Sequence, residues 1–146
     1  MMDFHLDALL NLPYMTVESC VKEGQQAFLK LRCLSEVANC PHCHITSDRL
    51  NQNRPVMIRD LPISGQAVYL EVPRRQFRCQ SCQRYFTERL EFVDWERRYT
   101  RRYEAMICDR INATSIEQVS REESLSLDQV RGIYQHKFGK EKQKIR

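Results

Sequence analysis

Two short stretches decide the fold: Cys40-Pro41-His42-Cys43 and, after 35 intervening residues, Cys79-Gln80-Ser81-Cys82. A Cys-x-x-Cys pair can form a tight turn whose two sulfurs face one ion, and two such turns supply the four thiolates of a closed tetrahedral zinc site. Pro41 stiffens the first turn. His44 follows it at a position where such turns take positive φ, a region that histidine visits more readily than most non-glycine residues. The spacing predicts one structural Zn2+ ion held by Cys40, Cys43, Cys79 and Cys82. Three other readings compete: unliganded structural cysteines, a thioredoxin-like redox pair, and His42 or His44 in place of one thiolate. The redox pair lacks the βαβ context it requires, and four thiolates are the more economical ligand set. Cys20, Cys33 and Cys108 are read as small core hydrophobes.

Around these pairs the pattern is one of short strands. Residues 14–34 read as a hairpin: Val17, Ser19 and Val21 alternate with Glu18 and Lys22, Glu23-Gly24 supplies the turn, and Ala27 to Arg32 returns. Val56 to Leu61 reads as a strand and Pro62-Ile63-Ser64-Gly65 as a turn. Val68, Leu70 and Val72 begin a further strand running towards Arg78, with Pro73 confining part of it to a sheet edge.

After Trp95 the period becomes helical. Tyr103, Met106, Ile107 and Ile111 form one stripe of a helix that Thr100 can cap. Ser115 with Gln118, and Ser126 with Gln129, are capping-box signatures. Ser115–Glu122, the turn Glu123–Leu125 and Leu127 to about His136 therefore read as a helix-turn-helix, with Ile116, Val119, Leu125, Val130 and Ile133 inward. Its second helix would present Asp128, Gln129, Arg131 and Gln135 outward, where all but Asp128, which can also cap its own helix, are natural readers of base edges. Ser120, and Glu123-Ser124 in the turn, are unusual residues for that motif. A plain structural trihelical unit shares the rest of the pattern. The fold class is α+β, divided as a β-rich zinc-binding domain (1–92), a helix-turn-helix domain (93–138) and a basic tail or linker (139–146).

The chain has 146 residues and a net charge of +4, unevenly spread. Residues 1–39 sum to −2, 40–92 to +3, 93–136 to −1 and 137–146 to +4. Basic patches suit a polyanionic partner, although many are merely solvated. If the partner is DNA, the pairs Arg74/Arg75, Arg97/Arg98 and Arg101/Arg102 are candidate phosphate contacts. No apolar run approaches the ~20 residues a membrane helix needs, and the N-terminus does not read as a secretory signal. A cytoplasmic, nucleoid-associated protein is expected, in a compartment where paired cysteines suggest metal more than disulfide.

The order of parts resembles the N-terminal region of the ISL-three family of bacterial insertion-sequence transposases. The likeness spans nearly all of residues 14–136 and is strongest at the two cysteine pairs, Asp60-Leu61-Pro62, Gly65, Arg74-Arg75, Phe77-Arg78-Cys79 and Phe86-Thr87-Glu88. It implies a zinc-finger segment and a helix-turn-helix that bind the terminal inverted repeats of a mobile element as double-stranded DNA. In that family a nuclease domain with an acidic triad follows. No residue of this chain is matched to that triad, so the expectation is a DNA-binding part, not an enzyme. Its expected partners are the element ends, a second copy of itself or a full-length transposase. Two alternatives stay open: a stand-alone repressor of the element, and a zinc-ribbon module that docks another protein.

Overall fold

The computed structural model describes residues 4–145. The chain opens with helix α1 (Phe4–Leu10), which sequence reasoning left unassigned. It is fastened by one acid: Asp7 accepts hydrogen bonds from the Val17 N–H and the Thr16 hydroxyl, both at 2.7 Å. Those bonds drop Leu10 into the core beneath the following strands. Strands β1 (Met15–Glu23) and β2 (Gln26–Cys33) form the expected antiparallel hairpin, and Gly24 turns it with φ of +60°.

Three short strands follow, β3 (Ala38–Asn39), β4 (Thr46–Ser47) and β5 (Leu50–Asn53). A second hairpin pairs β6 (Val56–Ile63) with β7 (Gln66–Val72). Its turn is tighter than the sequence suggested. Ser64 and Gly65 both take positive φ, 50° and 75°, as a two-residue hairpin turn twisted like its strands requires. Pro62 therefore falls inside β6, where it costs no ladder bond because β6 is an edge strand. The two hairpins join through parallel pairing of β2 with β7, giving the order β1-β2-β7-β6. Val17, Leu29, Leu31, Ile58, Val68, Leu70 and Val72 make the core under this sheet.

The strand expected to run on from Val68 to Arg78 is broken. β7 ends at Val72, and β8 (Arg75–Arg78) enters a separate sheet between β5 and β9 (Tyr85–Thr87). Pro73 has no N–H to continue the first ladder, and the Arg74 carbonyl already accepts from the Arg54 N–H at 2.9 Å.

The helical half follows its caps. Helix α2 (Arg101–Ala113) starts where the Thr100 hydroxyl accepts from the Tyr103 N–H, and α3 (Ile116–Glu123) where Ser115 accepts from Gln118. Gln118 does not complete that capping box, because its side-chain oxygen accepts from Arg121 at 2.8 Å instead. At α4 (Leu127–Ile145) the box is complete: Ser126 accepts from the Gln129 N–H at 3.0 Å, and the Gln129 side chain accepts from the Ser126 N–H at 2.9 Å. α4 runs well beyond the expected end near His136, through residues that include the basic tail. Lys, Glu and Gln are strong helix formers, and no proline stops them. Tyr103, Ile107, Cys108, Val119, Leu125, Val130 and Ile133 pack the three helices together. Among the described residues, no helix is long and apolar enough to cross a membrane.

The three unusual residues in and beside the α3–α4 turn now have a physical account. Ser124 adopts the left-handed conformation that ends α3, with φ of 54°. The Ser120 hydroxyl donates to the Leu125 carbonyl and so ties the turn shut. Glu123 is the acceptor of a buried network, taking the Tyr103 hydroxyl at 2.7 Å and Arg110 at 3.0 Å. From the strands, Arg59 reaches the same turn, donating to the Glu123 carbonyl at 2.8 Å while lying over the Tyr69 and Tyr103 rings. Next to it Asp60, 1% exposed, accepts from Thr100 and from Arg102, both at 2.8 Å. Arg102 also reaches the Leu10 carbonyl at 2.7 Å. Sheet and helices are thus bolted together by two adjacent residues of β6.

Candidate metal centre and nucleic-acid interface

The two cysteine turns are built alike. In the first, Cys40 N–H donates to the Ile45 carbonyl at 3.0 Å and His44 N–H to the Cys40 carbonyl at 2.8 Å. In the second, Cys79 N–H donates to Arg84 at 2.8 Å and Gln83 N–H to Cys79 at 3.0 Å. Each pattern needs a left-handed residue after the second cysteine. His44 supplies it with φ of 64° and Gln83 with φ of 62°. The β3–β4 pair carries the first turn and the β8–β9 pair the second.

The turns face each other. The four sulfurs lie within 4.8 Å of one another, with Cys40–Cys82 at 3.7 Å and Cys43–Cys79 at 3.4 Å. Tetrahedral zinc with bonds of about 2.3 Å places its sulfurs about 3.8 Å apart. The donor set fits that ion. Phe77 and Phe86 stack behind the cysteines at 5.8 Å and shield them from water. The backbone N–H of Cys82, helped by Cys43, Cys82 and Ser81, lowers the Cys79 thiol to about 6 against the opposing effect of burial. For Cys43 the Ile45 N–H acts to lower the value, but the neighbouring sulfurs and burial outweigh it and push the thiol up to about 11. Four crowded sulfurs cannot all ionise without a cation between them, and a dication removes that conflict. The protein has a structural zinc centre, which Cys40, Cys43, Cys79 and Cys82 would hold.

The histidine alternatives fall outside it: His42 approaches Arg84 at 3.5 Å, and His44 is exposed. Of the remaining cysteines, Cys108 is a core residue as expected. Cys20 is exposed instead, on the edge strand β1. Cys33 is half-buried with its thiol 3.8 Å from Glu88, and burial pushes it up to about 11.

The candidate DNA-contacting side chains divide into two groups. Arg75 is 11% exposed and spends its guanidinium on Glu88, at 2.9 Å for the outer nitrogen, and on the Ser35 carbonyl at 2.8 Å. Arg102 is held by Asp60, and Arg97 by Glu104 at 3.1 Å. Burial raises Glu104 above its ordinary value despite that arginine. These three arginines each pair with a carboxylate of the protein and are one-third exposed or less, which sets them apart from the other three candidates. Arg101 pairs with Asp94 at 2.6 Å but stays 59% exposed. Arg98 is exposed, and Arg74 lies over the Trp95 ring at 4.9 Å. On α4, Arg131 and Gln135 are exposed, and Arg131 pairs with Asp128 at 3.5 Å. Gln129 is exposed but committed to its capping box. Sequence reasoning passed over Arg89, which lies over Trp95 at 4.8 Å, because it stands alone and not in a pair.

Strand-borne cysteine turns closing on one ion, followed by three capped helices, define a zinc-ribbon protein with an attached helical unit. Residues 36–82 match the family described as the zinc-finger of transposase IS204/IS1001/IS1096/IS1165. Over 98 residues, 67% of this chain, the sequence is 26% identical to the transposase for insertion sequence element IS1001 of Bordetella parapertussis. The aligned stretch is 24% of that relative's length. No solved structure matches the chain. The similarity to the zinc ribbon of the ISL-three family of transposases thus lies in residues 36–82.

Proposed function

We propose that this chain binds double-stranded DNA and recognises the terminal inverted repeats of an insertion sequence. Residues 1–92 act as the zinc-binding domain and 93–138 as a helix-turn-helix domain, with α4 as the recognition helix, at work in the cytoplasm. One observation carries the reading. Next to a transposase-type zinc ribbon, α3 and α4 bury Val119, Leu125, Val130 and Ile133 on one side and leave Arg131 and Gln135 exposed on the other. Four residues apart on a helix, those two side chains can enter one major groove. Arg131 suits the paired acceptors of guanine and Gln135 the donor and acceptor of adenine, each contact discriminating by about 1–3 kcal/mol. Its weak exposed contact with Asp128 costs little to break.

The role is binding, not cleavage. A zinc ion closed by four cysteines keeps no open position to activate water. The ribbon holds its shape so that arginines around it can touch phosphates, which give affinity without sequence choice. Arg131→Ala should weaken binding to the element's end about 5- to 150-fold, from the same 1–3 kcal/mol, and leave scrambled DNA nearly unchanged. Titration of both DNAs by fluorescence anisotropy tests this. Equal weakening on the two would show that α4 does not read bases.

A further inference from the structure

We infer that Trp95, with Arg74 and Arg89 both over its ring, is a second DNA contact: a phosphate clamp on the strand side of the molecule. This inference rests on the DNA-binding reading above and adds a site to it. Trp95 is 43% exposed, and the two guanidinium carbons sit 4.9 Å and 4.8 Å from its ring centre. The cations are therefore at most about 9.7 Å apart. Among the described residues, neither has a carboxylate within ion-pairing distance, unlike Arg59, Arg75, Arg97, Arg101, Arg102 and Arg110. A guanidinium over a ring is attracted through its charge and still has five N–H donors to offer. Two cations beside one ring, with no ion-pair partner among the described residues, can take an anion. Phosphodiester oxygens meet that geometry, and the indole keeps both arginines ordered before DNA arrives, which lowers the entropic cost of contact.

Position favours the same ligand as α4. The residue before Trp95, Asp94, bonds His136 of α4 at 2.9 Å, and His136 is the neighbour of Gln135. The loop bearing the clamp is thus tied to the helix proposed to read bases. The clamp and α4 are proposed to grip one DNA molecule, backbone and bases respectively.

Trp95 is the chain's single tryptophan, so its fluorescence reports the clamp directly. The intact zinc-loaded protein is titrated with end DNA and scrambled DNA, following tryptophan emission and the anisotropy of labelled DNA together. Both DNAs should change the Trp95 emission, with the same midpoint as the anisotropy. The double variant Arg74→Gln/Arg89→Gln should weaken both DNAs by the same factor and lower the salt slope by about two units, roughly one per lost phosphate contact. Arg121→Gln, exposed on α3, serves as the control for a general loss of charge. Binding by anisotropy with silent tryptophan and an unchanged salt slope would overturn the clamp and leave the DNA reading standing. No binding by anisotropy at any salt would overturn both.

Discussion

The cysteine-bearing strands and the three helices hold their shapes by different means. Behind the metal centre the buried cluster is four residues, Cys40, Phe77, Cys79 and Phe86, two of them ligands. The helices bury seven, all but Leu125 at 1% exposure or less, and add three side-chain caps. Burying a phenylalanine contributes about 1.5–3 kcal/mol, whereas a structural zinc contributes apparent binding free energies of about 10–16 kcal/mol. So the strands β3–β5 and β8–β9 depend on an ion, and the helices depend on packing. A segment held by a metal can be read from four residues. One held by packing must be read from a whole periodic stripe.

The largest expected effect breaks that contrast at its base. Cys79→Ser should abolish zinc binding and unfold residues 38–87 outside the main sheet, while helices α2 to α4 stay folded. Metal analysis should give one zinc per chain for the parent protein and none for the variant. Amide exchange should then show lost protection around Phe77 and Phe86 with protection kept around Ile107 and Ile133. Uniform loss throughout would mean that the ion holds the helices as well, and that the two regions are one cooperative unit.

A smaller effect tests the joint. Asp60 receives both Thr100 and Arg102 in a buried setting, so Asp60→Ala strands a cation and removes the α2 cap's anchor. The cost should be near 3 kcal/mol, the low end for a broken buried pair because Arg102 is one-third exposed. Urea unfolding followed separately in sheet and helices should change from one shared transition to two. A single transition at an unchanged midpoint would mean that Arg59 and Glu123 suffice to hold the halves together.

Much of this was legible because the deciding features are local. The ligand spacing, the three N-caps and the inward residues of α3 and α4 each depend on residues a few positions apart. What escaped depends on distance. The use of Arg75 and Arg102 inside the protein requires Glu88 and Asp60 to arrive from other strands, so a sequence reading sees two basic pairs and nothing to neutralise them. Helix α1 was missed because its anchor, Asp7, acts on β1 and not within the helix. Residues that carry the resemblance prove to be each other's partners, Arg75 with Glu88 and Phe77 with Phe86, while Asp60 holds Arg102 of α2. They build the frame. Under the proposed function, specificity lies elsewhere, in exposed side chains such as Arg131.

The smallest expected effect concerns Gly132, in the middle of α4. Glycine in a helix interior costs about 1 kcal/mol relative to alanine. A Cβ built at Gly132 meets nothing within 4 Å, and its φ is not left-handed, so no steric reason in the protein itself retains the glycine. Gly132→Ala should therefore stabilise the chain by up to about 1 kcal/mol, raising the melting temperature by roughly 2–4 °C for a chain of this size. The gain should be confined to the helical region, with zinc content and exchange around Phe77 unchanged. DNA affinity sharpens the reading further. Gly132 follows Arg131, so if α4 lies deep in the major groove, the added methyl meets the DNA and binding weakens while stability rises. If affinity is unchanged, α4 sits shallowly and reads bases through the length of Arg131 and Gln135 alone. Destabilisation would contradict the open space around this position and show that α4 packs more closely there than its geometry indicates.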